Sequence, residues 1–147
     1  MPTHYQGNEE ERAALDAFIK LLRAADSVCA RTQAHLARYQ LTASQFGVLE
    51  AVYHLGPLHQ HVLGHKLLKS GGNITMVVDH LEQRGLVRRE RDTSDRRRIS
   101  VVLTPSGTKL VSTLFPKHAA IIRDDMSTLS AAELKQLGKL CKKVGIG

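Results

Sequence analysis

The most restrictive feature of this sequence is a change of hydrophobic period near residue 85. Before it, apolar residues recur at three- and four-residue spacing, which predicts short helices at about 59–68 and from about Asn73 to a C-cap glycine, Gly85. After it, apolar and polar residues alternate along 97–103, and this segment with 86–91 predicts a β-hairpin. The region must therefore combine a pair of helices with two strands.

The order of these elements favours a winged helix-turn-helix. Residues 69–72, Lys-Ser-Gly-Gly, form the predicted turn between the two helices, and a charged hairpin follows them. In such a module the second helix enters the DNA major groove, while its N-terminus and the wing contact phosphates.

A helical wheel separates the two faces of the predicted second helix. The core face carries Ile74, Val77, Val78 and Leu81, so Asp79 points away from the core, where we expect it to orient a nearby arginine. The residues predicted to reach the major groove are Ser70, Gly72, Asn73, Thr75, Met76 and His80. The alternative is that they are ordinary polar surface residues.

Positive charge is concentrated on the predicted hairpin. The chain has 147 residues, 21 bases and 14 acids, whereas residues 1–40 carry five of each and are neutral. Seven arginines and three acids lie between Arg84 and Arg98. This cluster indicates phosphate binding, with a merely solvated face as the alternative. Aromatic residues are only 4% of the chain, which disfavours a single-strand binder that stacks bases on exposed rings.

The first predicted helix, 9–39, is too long for a small core to cover. At 1.5 Å per residue it would measure about 45 Å. Its apolar stripe includes Leu15, Phe18, Ile19 and Leu22. A capping box at Ser130–Glu133 begins a last helix with an apolar face at Leu134, Leu137 and Leu140. Such faces indicate packing against a second chain, and we expect a homodimer.

The residues also carry a family resemblance over nearly the whole chain. The pattern resembles the MarR family of bacterial transcriptional regulators in Leu41-Thr42-x-x-Gln45-Phe46-x-Val48-Leu49, Leu67-Leu68-x-Ser70, Thr75, Val78-Asp79-x-Leu81-Glu82-x-x-Gly85-Leu86-Val87-x-Arg89, Asp92, Asp95-Arg96-Arg97 and Val102-Leu103-Thr104-x-x-Gly107. The Asp-x-Arg at the hairpin tip is its most specific part.

The resemblance implies a mainly α-helical fold with a small β-hairpin wing. It implies one domain over 1–147, with a DNA-binding lobe at 41–104 and dimerisation helices at 9–39 and 105–147. The partners would be a second copy and double-stranded DNA with an inverted-repeat operator.

The resemblance also assigns roles on the wing. Arg97 would enter the minor groove, Asp95 would orient it, and Arg96 and Arg98 would face phosphates. Arg88 and Arg89 complete the predicted set of wing and phosphate contacts.

The expected function is a sequence-specific transcriptional regulator, a repressor that a small-molecule effector releases from DNA. The alternatives are a redox-responsive regulator acting through Cys29 and a non-specific architectural DNA-binding protein. Cys29 and Cys141 lie on apolar stripes, where we expect buried, inert thiols.

Other classes of function find little support in the sequence. It has no nucleophile elbow, phosphate loop or metal-hydrolase spacing, so we expect neither an enzyme nor a cofactor. His61 and His65 have the i, i+4 spacing of a metal pair, but surface histidines near a phosphate-binding element are the preferred interpretation. With no apolar span and only two cysteines, the expected location is the cytoplasm, at the nucleoid.

Overall fold

The computed structural model describes residues 2–67 and 69–145, which fold mainly into helices. The elements in chain order are α1 (Glu9–Ala37), α2 (Ala43–Leu55), β1 (Leu58–His59), α3 (Gln60–Lys66), α4 (Gly71–Gln83), β2 (Val87–Arg91), β3 (Ile99–Leu103), α5 (Pro105–Asp125) and α6 (Ala131–Val144). The predicted fold class, mainly α with a small β wing, is confirmed.

The sheet has one strand more than the predicted hairpin. β2 and β3 pair antiparallel, with Val87 opposite Leu103 and Arg91 opposite Ile99. The short β1 pairs with the other edge of β3, so the strand order is β1-β3-β2. The helix predicted from about His59 is present as α3, which begins one residue later, at Gln60, because His59 pairs with Ser100 in the sheet. Leu68, predicted on the inward face of that helix, lies outside the described residues.

Local side-chain bonds set where three helices begin. Both predicted capping boxes are confirmed, Thr42 with Gln45 at α2 and Ser130 with Glu133 at α6. The start of α4 differs from the prediction, because the Ser70 hydroxyl accepts a hydrogen bond from the Asn73 backbone N–H at 3.3 Å. Ser70 is thus an N-cap, and the two glycines after it form the first turn of the helix.

The chain divides into two compact units. One contains the residues up to Thr32 together with those from Ala119 onward, and the other is Gln33–His118. Within Gln33–His118 the apolar side chains of α2, α3, α4, the sheet and α5 form a single buried cluster. The predicted core face of α4 is confirmed, since Ile74, Val78 and Leu81 are buried and Val77 is half-buried.

The turn between α4 and β2 is closed by the hydrogen bonds of a Schellman motif. Gly85 has a φ of 72°, its N–H donates to the Glu82 carbonyl at 2.9 Å, and the Leu86 N–H donates to the Leu81 carbonyl at 3.0 Å. This confirms the predicted glycine at the end of α4. The turn leads the chain directly into β2.

The start of α5 packs tightly against the same turn. The Thr104 hydroxyl donates to the Gly85 carbonyl at 2.6 Å, and the Thr104 N–H donates to the Leu86 carbonyl at 3.1 Å. A β-carbon at Gly107 would overlap the Leu86 carbonyl oxygen, so this position needs glycine for lack of space.

In the other unit, the predicted burial of the cysteines was wrong. Cys29 on α1 and Cys141 on α6 are both exposed. The prediction failed because helical periodicity specifies an apolar face but not what covers it. α6 has no buried residue, and the buried residues of α1, His35 and Leu36, belong to the Gln33–His118 unit. α1 and α5 are joined here by an ion pair between Arg31 and Asp125, Nε to Oδ1, at 2.7 Å. Among the described residues no helix has the length and apolar character of a membrane span.

We expect Gly107→Ala to lower the free energy of unfolding by about 1–3 kcal/mol, because the added methyl must displace backbone rather than a flexible side chain. Urea denaturation followed by circular dichroism measures the change. Gly138→Ala is the matched control: a β-carbon there meets open space on α6, so stability should stay equal or rise by up to ~1 kcal/mol. Equal effects of the two substitutions would contradict the packing argument.

Two histidines are buried in the Gln33–His118 unit. His35 and His118 are each 8% exposed, and their ring centroids lie 6.3 Å apart. The Phe46 ring lies 4.4 Å from the His118 ring, and neither His35 Nε2 nor His118 Nδ1 has a hydrogen-bond partner. Burial lowers the pKa of both rings, and each also has a nearby positive group: Arg38 and Lys117 for His35, and His35 itself for His118. Glu50 opposes this and raises the pKa of His118.

This pair predicts that the protein loses stability at mildly acidic pH. Because both folded-state pKa values lie below the ordinary 6.5, the unfolded chain binds more protons as the pH falls past that value. The stability that the two neutral histidines contribute is fully present above pH 6.5. It is lost as the pH falls toward their folded-state pKa values. Urea titrations between about pH 7 and 5 should show a shallower decline in the double variant His35→Gln, His118→Gln than in the wild type. A wild-type slope in the double variant would contradict the prediction.

Candidate nucleic-acid interface

The outer face of α4 brings together the residues predicted for the major groove. Its inner face is buried in the core, so the helix cannot rotate without exposing apolar surface. The predicted residues are all exposed: Ser70, Gly72, Asn73, Thr75, Met76 and His80. They lie on the side of α4 that faces solvent, as the side chains that read base edges must.

Internal bonds already occupy two of these hydroxyl groups. Ser70 caps α4, as described above. Thr75 Oγ1 donates to the Gly71 carbonyl at 2.8 Å and accepts from Gln60 Nε2 at 3.0 Å. The Thr75 hydroxyl therefore has no proton left to donate to a base, whereas its methyl group makes none of these bonds.

The tip of the wing is a turn built on two carboxylates. Asp92 Oδ1 accepts hydrogen bonds from the N–H and the hydroxyl of Ser94 at 2.9 and 2.8 Å, and these bonds lower the pKa of Asp92. The Asp92 N–H donates to the Arg98 carbonyl at 3.0 Å, and the Arg98 N–H donates to the Asp95 carbonyl at 3.0 Å. Hydrogen bonds at Asp92 and at Asp95 thus hold both ends of the turn.

Asp95 contacts the arginine that sequence reasoning paired with it. Its Oδ1 accepts from the Arg97 backbone N–H at 3.0 Å and from Arg97 Nε at 3.3 Å, while Oδ2 lies 3.9 Å from Arg98 Nε. The Arg97 side chain is 93% exposed. The arginine is held at its Nε edge, and the rest of the guanidinium extends into solvent.

The remaining wing arginines fall into two groups. Arg88, Arg96 and Arg98 are exposed, and Arg88 forms an ion pair with Glu90, Nε to Oε1, at 2.9 Å. Arg89 instead turns inward. Its Nη1 lies 2.7 Å from Asp79 Oδ1 and 3.0 Å from Glu82 Oε1. The predicted role of Asp79 in orienting an arginine is confirmed as an ion pair. The sequence offered no signal for Gln60, which also binds Arg89 and lies 29 residues away in the chain.

Comparison with known proteins agrees with this geometry. The sequence model of the MarR family matches residues 41–99. The HTH-type transcriptional regulator MhqR of Bacillus subtilis is 37% identical over 133 residues, which cover 90% of this chain and 92% of MhqR. The chain belongs to the MarR family.

Solved structures show the same fold. BpsR of Bordetella bronchiseptica superposes with a TM-score of 0.78 at 28% identity, covering 87% of this chain and 97% of BpsR. The MarR-family regulator AbsC of Streptomyces coelicolor has a TM-score of 0.85 at 22% identity, covering 95% of each chain. This MarR-family chain is therefore a DNA-binding transcriptional regulator and not an enzyme. Over residues 2–67 and 69–145, no three metal-ligating side chains come together.

Proposed function

We propose that the chain is a homodimeric repressor that binds an inverted-repeat operator and leaves it when a small-molecule effector binds. Each half-site would receive one α4 in the major groove and one wing in the adjacent minor groove. The observation that carries this proposal is the pairing of an exposed α4 surface with an outward Arg97 on one compact unit. Such a protein would act in the cytoplasm, on the nucleoid.

The proposed dimer is supported by apolar surface that the described chain leaves uncovered. Phe18, Leu21 and Leu22 are exposed on α1, and Leu134, Leu137, Leu140 and Val144 are exposed on α6. Leu15 and Ile19 are half-buried. A water-exposed apolar surface on this scale is typical of a protein–protein interface, and a second copy is the partner that an inverted repeat requires.

The proposed effector is supported by a relative. For BpsR, the solved structure concerns the regulation of its DNA binding by 6-hydroxynicotinic acid. We infer that a small organic molecule similarly lowers the DNA affinity of this chain, by favouring a dimer whose two α4 helices no longer match the half-site spacing.

The redox-responsive alternative rests on the exposed thiol of Cys29. It predicts that an oxidant releases the operator and that Cys29→Ser prevents the release. Release by an organic effector that is unaffected by Cys29→Ser would instead favour the proposed function.

Selection of bound DNA from a random pool, followed by footprinting, tests the operator. We expect protection of two inverted half-sites separated by about one helical turn, ~10 base pairs. Protection without sequence preference would favour the architectural alternative. A screen of small aromatic acids and phenols against the selected operator then tests release.

We predict that Leu140→Glu converts the dimer to a monomer, because it places a charge in the proposed interface. Light scattering at micromolar concentration should give about twice the chain mass of 16.2 kDa for the wild type and about that mass for the variant. Leu55→Glu is the matched control, because Leu55 on α2 is 58% exposed and Leu140 is 52% exposed. A monomeric wild type would contradict the proposal.

On the wing, we predict that Arg97→Ala weakens operator binding by about 1–3 kcal/mol and lowers the salt slope by about one. Asp95→Ala should also weaken binding, although it removes a negative charge, because Arg97 loses the carboxylate that holds it. Glu90→Ala removes the same charge from the same wing without touching Arg97, so it should leave affinity equal or raise it. Tighter binding by Asp95→Ala in a fluorescence titration would show that the wing acts only as a basic patch.

A further inference from the structure

Arg89 differs from its neighbours on the wing in both exposure and bonding. Its side chain is only 19% exposed, although it lies on a two-faced strand among exposed arginines. The guanidinium makes four contacts with other residues of the chain. Its Nη1 pairs with Asp79 and Glu82, its Nη2 donates to the Thr75 carbonyl at 3.1 Å, and its Nε donates to Gln60 Oε1 at 3.0 Å. A guanidinium with this many internal partners has little donor capacity left for a phosphate.

The charges around Arg89 also argue against a phosphate contact. Two carboxylates, Asp79 and Glu82, face one guanidinium, so the cluster carries a net negative charge. Glu82 also accepts the Arg89 backbone N–H through its second oxygen, at 2.9 Å. The cluster therefore offers no attraction to the DNA backbone, in contrast to the exposed arginine at the wing tip.

The contacts join three elements that must be placed correctly for DNA recognition. Arg89 belongs to β2, Asp79, Glu82 and Thr75 belong to α4, and Gln60 begins α3. Gln60 uses both ends of its amide, since Oε1 accepts from Arg89 and Nε2 donates to the Thr75 hydroxyl. That hydroxyl in turn donates to the Gly71 carbonyl. The network thus reaches from the wing to the exposed face of α4.

We propose that Arg89 is a positioning residue for sequence recognition: through Asp79, Glu82 and Gln60 it fixes α4 relative to the wing and orients Thr75, and it does not bind phosphate. This inference rests on the proposed function of α4 as the reading helix. Planar, forked geometry is what the role requires, because the guanidinium must reach a carboxylate pair, an amide and a backbone carbonyl at once.

Arg89→Lys tests the proposal, since lysine keeps the positive charge and can bind phosphate but cannot make the forked contacts. We expect the ratio of affinities for operator and scrambled DNA to fall about tenfold, while affinity for scrambled DNA and its salt slope stay unchanged. Arg91→Lys is the matched control, because Arg91 is an exposed arginine two positions further along β2 that donates to the Arg96 carbonyl, and its ratio should remain that of the wild type.

A second variant separates positioning from folding and from charge. Gln60→Ala removes the uncharged link between Arg89 and Thr75, so it should also lower the affinity ratio with no change in salt slope. If Arg89→Lys proves unfolded by circular dichroism, the Gln60→Ala ratio decides the matter: a lowered ratio supports the proposal and a wild-type ratio overturns it.

Two further results bear on the outcome. Arg89→Ala should leave the salt slope unchanged, and a slope lowered by about one would show a phosphate contact and overturn the proposal. A wild-type ratio in folded Arg89→Lys would overturn it equally. Failure of the proposed function is distinguishable, because the wild-type protein itself would then fail to discriminate operator from scrambled DNA.

Discussion

The packing of the α4–β2 turn against the first turn of α5 is the constraint on which the Gln33–His118 unit depends. Gly85 reverses the chain, and Thr104 then binds the carbonyls of both Gly85 and Leu86. This places the two ends of the hairpin beside the end of α4, and Gly107 allows α5 to begin without displacing the turn. Because β3 lies between β1 and β2, the wing is also tied to the segment that precedes α3. A shift at this point would move α4 and the wing together.

Much of this unit could be predicted because its signals are local. The capping box of α2, Gly85 and the buried face of α4 each depend on residues within a few positions of one another, and the structure confirms them. The Asp95–Arg97 contact is local in the same sense, since the partners are two positions apart in the chain. Short-range sequence patterns report on such features directly.

What could not be predicted depends on contacts between distant segments. β1 has only two residues, so it has no period, and it exists because β3 offers a free edge. The exposure of Cys29 depends on what covers α1, which periodicity does not specify. Arg89 carried the same charge signal as its neighbours, and its partners at Gln60, Thr75 and Glu82 come from 7 to 29 residues away. Charge counting alone therefore overstates how many arginines are exposed on the wing.

The acids of this basic surface account for how its arginines are divided. Negative groups weaken attraction to DNA, so their presence there needs a compensating role. Asp95 holds its arginine at one edge and leaves it 93% exposed, whereas Asp79 and Glu82 hold theirs from the inside and leave it 19% exposed. The position of the carboxylate thus decides whether a nearby arginine faces outward or joins the internal framework. With this arrangement one arginine extends into solvent at the wing tip, while another holds the base of the wing to α4.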